Sequence, residues 1–288
     1  MGNQKYKLFN DNTSIKNIVY KVFGLLFAVF WLFVAGGPLY YLATISLKEQ
    51  SEYLNSGIFT LPKTFYLGNY FTVINGNFRF YFLNSLFVLA ISLSLLLMIS
   101  SFAAYPLSRM KFRLNRPIFS LIVACMSIPI HITLIPVFIL MLNLKLYNNL
   151  LALIGPNVAF NLPISVFILS AFMQSISGEM EEASEIDGCG KFRTFFKIIF
   201  PLSKPGLATI AIYDGVIIWN EFSFAMVLTQ TVKAQTLPLG IWTYKGQYSM
   251  DIPLIMAFLI FSALPIILLY VFGQDKLVKG MMAGAVKG

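Results

Sequence analysis

The chain has 288 residues, of which 58% are hydrophobic and 11% are charged, and its formal net charge is +9. A soluble domain carries about 25% charged residues. A water-soluble fold could not cover this much apolar surface, so the chain is predicted to lie largely in lipid. The basic residues flank apolar runs, which indicates membrane topology rather than a nucleic-acid surface. Nucleic acid is therefore not expected as a partner.

Six apolar runs are long enough to cross a bilayer, because a helix needs about 20 residues to cross about 30 Å of hydrocarbon. They cover residues 22–47, 82–107, 117–144, 146–177, 205–231 and 252–274. The sequence therefore predicts an all-α polytopic membrane protein with six transmembrane helices. Only Lys145 separates the third run from the fourth, which predicts a tight hairpin. The first run is too long for the apolar part of a signal peptide and is predicted to be a retained span.

The distribution of Lys and Arg predicts the orientation. With six spans both termini lie on one side, and only six of the 21 Lys and Arg residues fall on the other: Lys48, Lys63, Arg79, Lys145, Lys233 and Lys245. Positive residues accumulate in the cytoplasm, so both termini are predicted to be cytoplasmic. The predicted layout is a cytoplasmic tail (1–21), a first span (22–47), an external segment (48–79), a core (80–273) and a cytoplasmic C-terminal tail (274–288).

The most charged stretch, EMEEASEIDGCGKFRTFFKIIFPLSKPG over residues 179–206, lies between the fourth and fifth spans. Its glutamates crowd a predicted first helical turn, where the helix dipole favours negative charge. The DGCG sequence predicts a break, and a second short helix is expected to end at Pro201. An apolar stripe accompanies the acidic face, which favours docking on a protein. Resting on anionic lipid headgroups is the alternative, but an acidic face has the wrong sign for it.

This stretch resembles the EAA loop of ABC importer permeases, whose pattern is EAA, three residues, Gly, nine residues, Ile, one residue, Leu-Pro. Glu182, Ala183 and Ser184 occupy the first block, and Gly188 follows at the expected spacing. Ser184 replaces an alanine and Phe200 replaces the leucine, while the spacing is fully kept. Further stretches are similar to the maltose/lactose-type carbohydrate permeases (MalG-like): NSLFVLAIS, AAYPLSRMKF, WNEFSFAMVL, TLPLGI and KGMMAGAVKG.

The resemblance implies a type I ABC importer transmembrane fold with a cytoplasmic coupling helix in a loop over residues 177–201. The residues that it assigns to ATPase coupling are Glu182, Ala183, Ser184, Asp187, Gly188 and Pro201. It implies four kinds of partner: a second, MalF-like permease, two cytoplasmic ATPase subunits, an external solute-binding protein and membrane lipid. It also implies a bacterial cytoplasmic membrane and a sugar substrate, a di- or oligosaccharide.

The chain itself is expected to bind no ATP, no other cofactor and no metal, and to have no catalytic residues. The GCGKF sequence resembles the end of a phosphate-binding loop, but Phe192 stands where Ser or Thr would bind magnesium, and Glu185 stands where the first glycine would be. The chain is therefore predicted to be a transport subunit and not an enzyme. ATP and magnesium would be used by the partner ATPase.

Polar residues inside the predicted spans are candidates for lining a substrate path. Asp214 and Glu221 are seven residues apart and are predicted to share one face of the fifth span. Charges at membrane depth usually face a bundle interior or water, and Trp219 would offer a stacking surface for a sugar. The full candidate set is Asp214, Trp219, Asn220, Glu221, Asn157 and Asn161. The alternative for Asp214, Asn220 and Glu221 is an interhelical hydrogen bond. For Asn157 and Asn161, which lie near Pro156 and Pro163, the alternative is a hydrogen bond that stabilises a proline kink.

Three other functions are alternatives to a sugar permease. The first is the same ABC architecture carrying a non-sugar solute, such as a glycerol phosphodiester. The second is a proton- or sodium-coupled secondary transporter, which would call for inverted repeats and a midplane ionisable cluster. The third is a membrane enzyme, for which the single histidine, His131, leaves few options.

Overall fold

The computed structural model describes residues 15–57, 59–244 and 250–285, without side-chain detail at 15–19, 269 and 272–285. It is 78% helix, with no strands in this part of the chain, which confirms the all-α prediction. Residues 1–14 of the predicted N-terminal tail, residues 245–249 of the last predicted external loop and residues 286–288 of the C-terminal tail lie outside the described residues.

The helices, numbered in chain order, include long apolar spans and short connecting segments. They are α1 (Ile15–Ser46), α2 (Gln50–Asn55), α3 (Gly68–Asn75), α4 (Phe78–Arg109), α5 (Asn115–Cys125), α6 (Ile130–Asn143), α7 (Leu151–Ser175), α8 (Glu179–Ile186), α9 (Lys191–Leu202), α10 (Lys204–Trp219), α11 (Ser223–Leu228), α12 (Leu237–Gly240) and α13 (Ile252–Ala285). The middle of α9, Phe195–Ile199, is a π-helical turn. A 3₁₀ turn, Ile241–Tyr244, follows α12.

Three of these helices, α1, α4 and α7, are long and apolar enough to cross a membrane by themselves. The pair α5 and α6 is bent by 95°, the pair α9 and α10 is bent by 67°, and counting each pair as one broken span raises the number to five. The apolar part of α13, Ile252–Leu268, is shorter than the 18 residues taken as the minimum length of a span. The predicted multi-pass membrane fold is therefore supported, while the number of six spans is not confirmed.

Two of the predicted spans are interrupted within the apolar run. The third run breaks between Cys125 and Ile130, where Pro129 supplies no backbone N–H to continue a helix. The fifth run breaks after Trp219, where α10 ends. By contrast, the predicted hairpin between the third and fourth runs is confirmed, because Lys145 and Asn148 adopt φ angles of 56° and 57° between α6 and α7.

The helical core is built on α4 and α7, which pack along each other, with α10 against both and α13 against α10. Serines face the interior of this bundle, including Ser92 and Ser100 on α4 and Ser165 on α7, each fully buried. Small side chains let membrane helices approach closely. Helix α1 is different: between residues 20 and 40 its apolar side chains are almost all exposed, and it packs against α13.

Helix α4 separates two ends of the molecule, since its 32 residues span about 48 Å at 1.5 Å per residue. Near its start, Asn84 donates to the carbonyls of Val232, Lys233 and Gln235. At its other end, Arg109 donates to the carbonyl of Ile176, just before α8. The loop that contains α8 therefore lies at the opposite end of the bundle from the loop that follows α11.

The segment after α1 is anchored at the first of these ends by a buried lysine. The Lys48 ammonium is fully buried and donates to Ser56 Oγ at 3.0 Å and to Thr60 Oγ1 at 2.9 Å. Asn69 at the start of α3 donates to the carbonyls of Ser46 and Lys48, at 2.9 and 2.8 Å. These contacts hold the segment between α1 and α4 against the bundle.

Candidate coupling loop and polar interior

The acidic helix α8 follows α7 after a three-residue link and presents most of its surface to solvent. Glu179, Glu181 and Glu182 form its first turn, where they complement the positive end of the helix dipole. Glu182 and Ala183 are exposed to solvent. Ser184 is 2% exposed and faces inward instead.

The end of α8 is a Schellman motif, which explains the glycine of the loop. The amide of Gly188 donates to the Glu185 carbonyl at 3.0 Å, and the amide of Cys189 donates to the Ser184 carbonyl at 2.9 Å. Gly188 has a φ of +76°, in the left-handed region that side chains with a Cβ rarely adopt. The predicted break at DGCG is confirmed, and Asp187 and Gly188 are both exposed on the resulting turn.

Two side-chain contacts join α8 to α9 across this turn. Ser184 Oγ lies 2.5 Å from Thr194 Oγ1, and both residues are 2% exposed. On the outer face, Lys191 forms an ion pair with Glu185. The serine that departs from the EAA pattern therefore makes a buried hydrogen bond within the loop, which a sequence pattern alone does not reveal.

Helix α9 ends one residue past the predicted position. Pro201 was expected to stop the second short helix, but the helical segment continues through Pro201 to Leu202 and bends into α10 at Ser203. The π-helical turn ends at Ile199, and Pro201 lies in the first positions of the α-helical turn that follows it, Phe200–Leu202. A proline at such a position lacks only an N–H that has no α-helical partner there. Pro201 is therefore half-buried within a continuous helical segment rather than at its end.

Apolar side chains on this loop remain exposed beside the acids. Ile186 is 87% exposed, Phe192 is 80% exposed and Met180 is 50% exposed. A loop with such side chains beside a charged face is suited to a protein partner. The interior face, by contrast, is in contact with α4: Phe195 is 2% exposed, and its ring centroid lies 5.0 Å from that of Tyr105.

The polar interior is a track of side chains on α7 that leads to Asp214 on α10. Asn157 and Asn161 are buried, and their amides donate to the carbonyls of Leu153 and Asn157 on their own helix. One turn further along α7, the Ser165 hydroxyl donates to Asp214 Oδ2 at 2.6 Å and is also within hydrogen-bond distance of the Asn161 carbonyl. Asp214 is fully buried, and its Oδ1 has no hydrogen-bond partner among the described residues.

The expected common face of Asp214 and Glu221 does not form, because α10 ends at Trp219 before Glu221 is reached. The Glu221 carboxylate instead accepts the amide N–H groups of Phe224 at 2.6 Å and Ala225 at 3.1 Å. It thereby caps the first turn of α11. The prediction of one helical face was wrong because hydropathy cannot show where a carboxylate starts a new helix.

The remaining path candidates lie on both sides of this break. Trp219 is 5% exposed and donates its Nε1–H to the Ser262 carbonyl on α13 at 3.2 Å. Asn220 is exposed and donates to the Val216 carbonyl. Both residues line a cavity of about 220 Å³ between α10, α12 and α13, together with Phe258. The described part of the chain contains no group of three or more His, Cys, Asp or Glu side chains suited to a metal.

A bundle of apolar helices with an exposed acidic helix at one end and buried polar residues inside is the arrangement expected of a membrane permease subunit. The comparisons agree. The model of the family described as "Binding-protein-dependent transport system inner membrane component" matches residues 96–282. The chain belongs to this family, which confirms the resemblance to ABC importer permeases.

Relatives cover nearly the whole chain. It is 51% identical over 263 residues to the "Putative ABC transporter permease protein ORF2" of Caldicellulosiruptor sp. (strain Rt8B.4), covering 91% of this chain and 96% of that protein. It is 34% identical to the "Melibiose/raffinose/stachyose import permease protein MelC" of Bacillus subtilis (strain 168), covering 87% and 91%.

A solved structure has the same fold. The crystal structure of a bacterial ABC transporter that imports the acidic polysaccharide alginate contains a chain with a TM-score of 0.77 to this one. The two chains are 24% identical, and the match covers 93% of this chain and 98% of that chain. This likeness establishes the type I ABC importer permease fold.

Proposed function

We propose that the chain is the transmembrane permease subunit of an ABC importer for a di- or oligosaccharide that an external binding protein delivers. Family membership supports the transport role, and the relative named as a melibiose, raffinose and stachyose permease supports the class of substrate. A partner permease, similar to the second permease of maltose-type importers, would complete the path. Both termini of this chain would lie in the cytoplasm of a bacterial cell.

The exposed acidic helix α8 is the observation that carries the proposal. In this proposal α8 and its turn, with Glu182, Ala183, Asp187 and Gly188 on the outside, dock on a cytoplasmic ATPase subunit. Ser184 and Pro201 support the same loop from within. ATP and Mg²⁺ are bound by the two ATPase subunits and not by this chain, and ATP-driven closure of those subunits moves α8 and the spans attached to it.

The interior track from Asn157 to Asp214 and the cavity beside Trp219 and Asn220 are the parts of this chain offered to substrate. Asp214 carries an oxygen without a partner among the described residues, so an acceptor is available at the bundle interior. Glu221 is less suited to contact a sugar directly, because two amide groups already occupy its oxygens.

The proposal is tested by purifying the tagged chain after co-expression with its neighbouring transport subunits and assaying ATP-dependent uptake in proteoliposomes. Wild type is expected to retain an ATPase and a second permease, and to take up members of an oligosaccharide panel. Glu182→Lys should lose the ATPase, since it reverses charge on the docking face, whereas Glu49→Lys, at the opposite end of the bundle, should keep it. Uptake of a glycerol phosphodiester and of no sugar would favour the alternative solute.

A further inference from the structure

The last turn of α4 holds the candidate coupling loop at three places. The Arg109 guanidinium donates through Nη2 to the carbonyl of Ile176, in the link between α7 and α8. Its Nη1 lies 3.7 Å from Glu181 Oε2 on α8 itself. Four residues earlier on α4, the Tyr105 hydroxyl donates to the Lys191 carbonyl at the start of α9, at 3.3 Å. Contacts from one helix end thus reach the segment before, within and after the acidic turn.

The ion pair of Arg109 is shielded from water, unlike the other charges of the loop. The side chains of Arg109 and Glu181 are 10% and 18% exposed, whereas those of Lys191 and Glu185 are 59% and 52% exposed. Hydrogen bonds from a charged donor are about twice as strong as neutral ones, and a cation in the last turn of a helix also complements its dipole. The Arg109 contact is therefore the strong polar link between α4 and α8.

The neighbouring bases do not share this role. Lys111, Arg113 and Arg116 are exposed and form no ion pair with any described residue. Arg109 also keeps its Nε buried and without an acceptor in the described part of the chain. Arg109 is therefore the base of this segment that contacts the loop of α8.

Without Arg109, α8 would be joined to the spans mainly through its own chain ends and through α9. The link from α7 is only three residues long, and Arg109 fixes the carbonyl of its first residue, Ile176. On the other side, Phe195 packs between Tyr105 and Phe102 with centroid distances of 5.0 and 5.5 Å. The polar contacts of Arg109 and the aromatic contacts of α9 thus attach the loop to the same helix, α4.

We propose that Arg109 is a positioning residue that fixes α8 to α4, so that displacement of α8 by a bound ATPase moves α4 with it. This inference rests on the proposed function. It assigns the transmission step to one side chain that lies outside the acidic motif and 72 positions before Glu181. A guanidinium suits this role better than an ammonium, because a lysine cannot engage a carbonyl and a carboxylate with the same fixed fork.

The test is the ratio of solute transported to ATP hydrolysed in proteoliposomes that contain the complete complex. Arg109→Gln is expected to retain the ATPase subunits and to hydrolyse ATP, while the ratio falls by about fivefold or more, as expected for loss of a coupling interaction. Arg109→Lys should recover part of the ratio. Lys111→Gln, which neutralises an exposed base two residues away, is the matched control and should equal wild type.

A ratio for Arg109→Gln equal to that of wild type would overturn the inference. This includes a parallel fall of uptake and ATP hydrolysis, because a purely structural role would lower both and leave their ratio unchanged. If Arg109→Gln does not assemble, Arg109→Lys and Glu181→Gln carry the same test, and wild-type ratios in both would overturn it. Failure of the proposed function is seen separately in the wild-type sample, as absence of an ATPase or of ATP-dependent uptake, and that result would overturn both.

Discussion

At the scale of single residues, Gly188 sets the shape of the acidic turn. Its φ of +76° places it in the left-handed region, while an added Cβ would meet no atom within 4 Å. Any penalty for a side chain therefore comes from the backbone conformation and not from a clash. For an L-residue this penalty is about 1–2 kcal/mol, and Gly190, which has an extended backbone and open space around it, lacks it.

Gly188→Ala is accordingly expected to weaken ATPase retention by about 5- to 30-fold, the factor that corresponds to that penalty, because the turn must be rebuilt before α8 can dock. Gly190→Ala is the matched control and should bind as wild type. Retention is measured by titrating purified ATPase subunit onto permease in detergent. Equal affinities for the two variants would show that the left-handed turn is not needed for docking.

Asp214 is the residue whose role inside the bundle is most open to experiment. Its Oδ2 bonds Ser165 at 2.6 Å and its Oδ1 is unpaired among the described residues. We expect Asp214→Ala to change the concentration dependence of uptake without changing ATPase association, since it lies far along α10 from α8. Ser165→Ala, which removes the partner but keeps the carboxylate, should change uptake less. Identical kinetics for wild type and Asp214→Ala across the sugar panel would leave Asp214 a structural residue.

At the scale of helices, the break between α10 and α11 depends on Glu221. Phe224, Ala225 and Leu228 of α11 are buried in the core, so the short helix must stay formed for the bundle to pack. Its first amides are satisfied by the Glu221 carboxylate. Loss of a capping side chain costs about 0.5–2 kcal/mol.

Glu221→Ala is therefore expected to lower the thermal stability of the purified permease, whereas Asn220→Ala, at the exposed neighbouring position, should change it little. Thermal unfolding in detergent measures both. A variant Glu221→Ala with unchanged stability and altered sugar uptake would contradict the capping role and favour a direct contact with substrate.

The sequence predicts some of these elements well, and for identifiable reasons. Spacing within the loop predicts α8 and its end at Gly188, because glycine and the helix dipole act locally. The hairpin at Lys145 is also local. The link between Arg109 and Glu181 is not, because it depends on how α4 and α7 pack. Likewise, the buried hydrogen bond between Ser184 and Thr194 forms only when the turn between them has folded. The end of α10 was missed because a hydropathy profile counts Glu221 only as a charge within a span and does not show that it caps a new helix.

At the scale of the whole molecule, different segments of the chain gather at the two ends of α4. One end gathers the segment held by Lys48 and the loop after α11, and the other gathers α8, α9 and the Arg109 contacts. Under the proposed function, a displacement of α8 would pass from one end to the other because packed helices move as rigid elements. Exposed apolar side chains on α1 lie outside this bundle, as expected for a helix in lipid or against a partner permease.

The most direct measurement places a single cysteine at Ile186, which is 87% exposed on α8, in a background in which Cys125 and Cys189 are replaced by serine. A membrane-impermeant maleimide should label it in inverted vesicles and not in intact cells. Adding the ATPase subunits should block the labelling and allow a short crosslinker to join the two chains. Labelling from outside intact cells, or labelling in inverted vesicles that bound ATPase leaves unchanged, would contradict the account of α8 as the ATPase docking site.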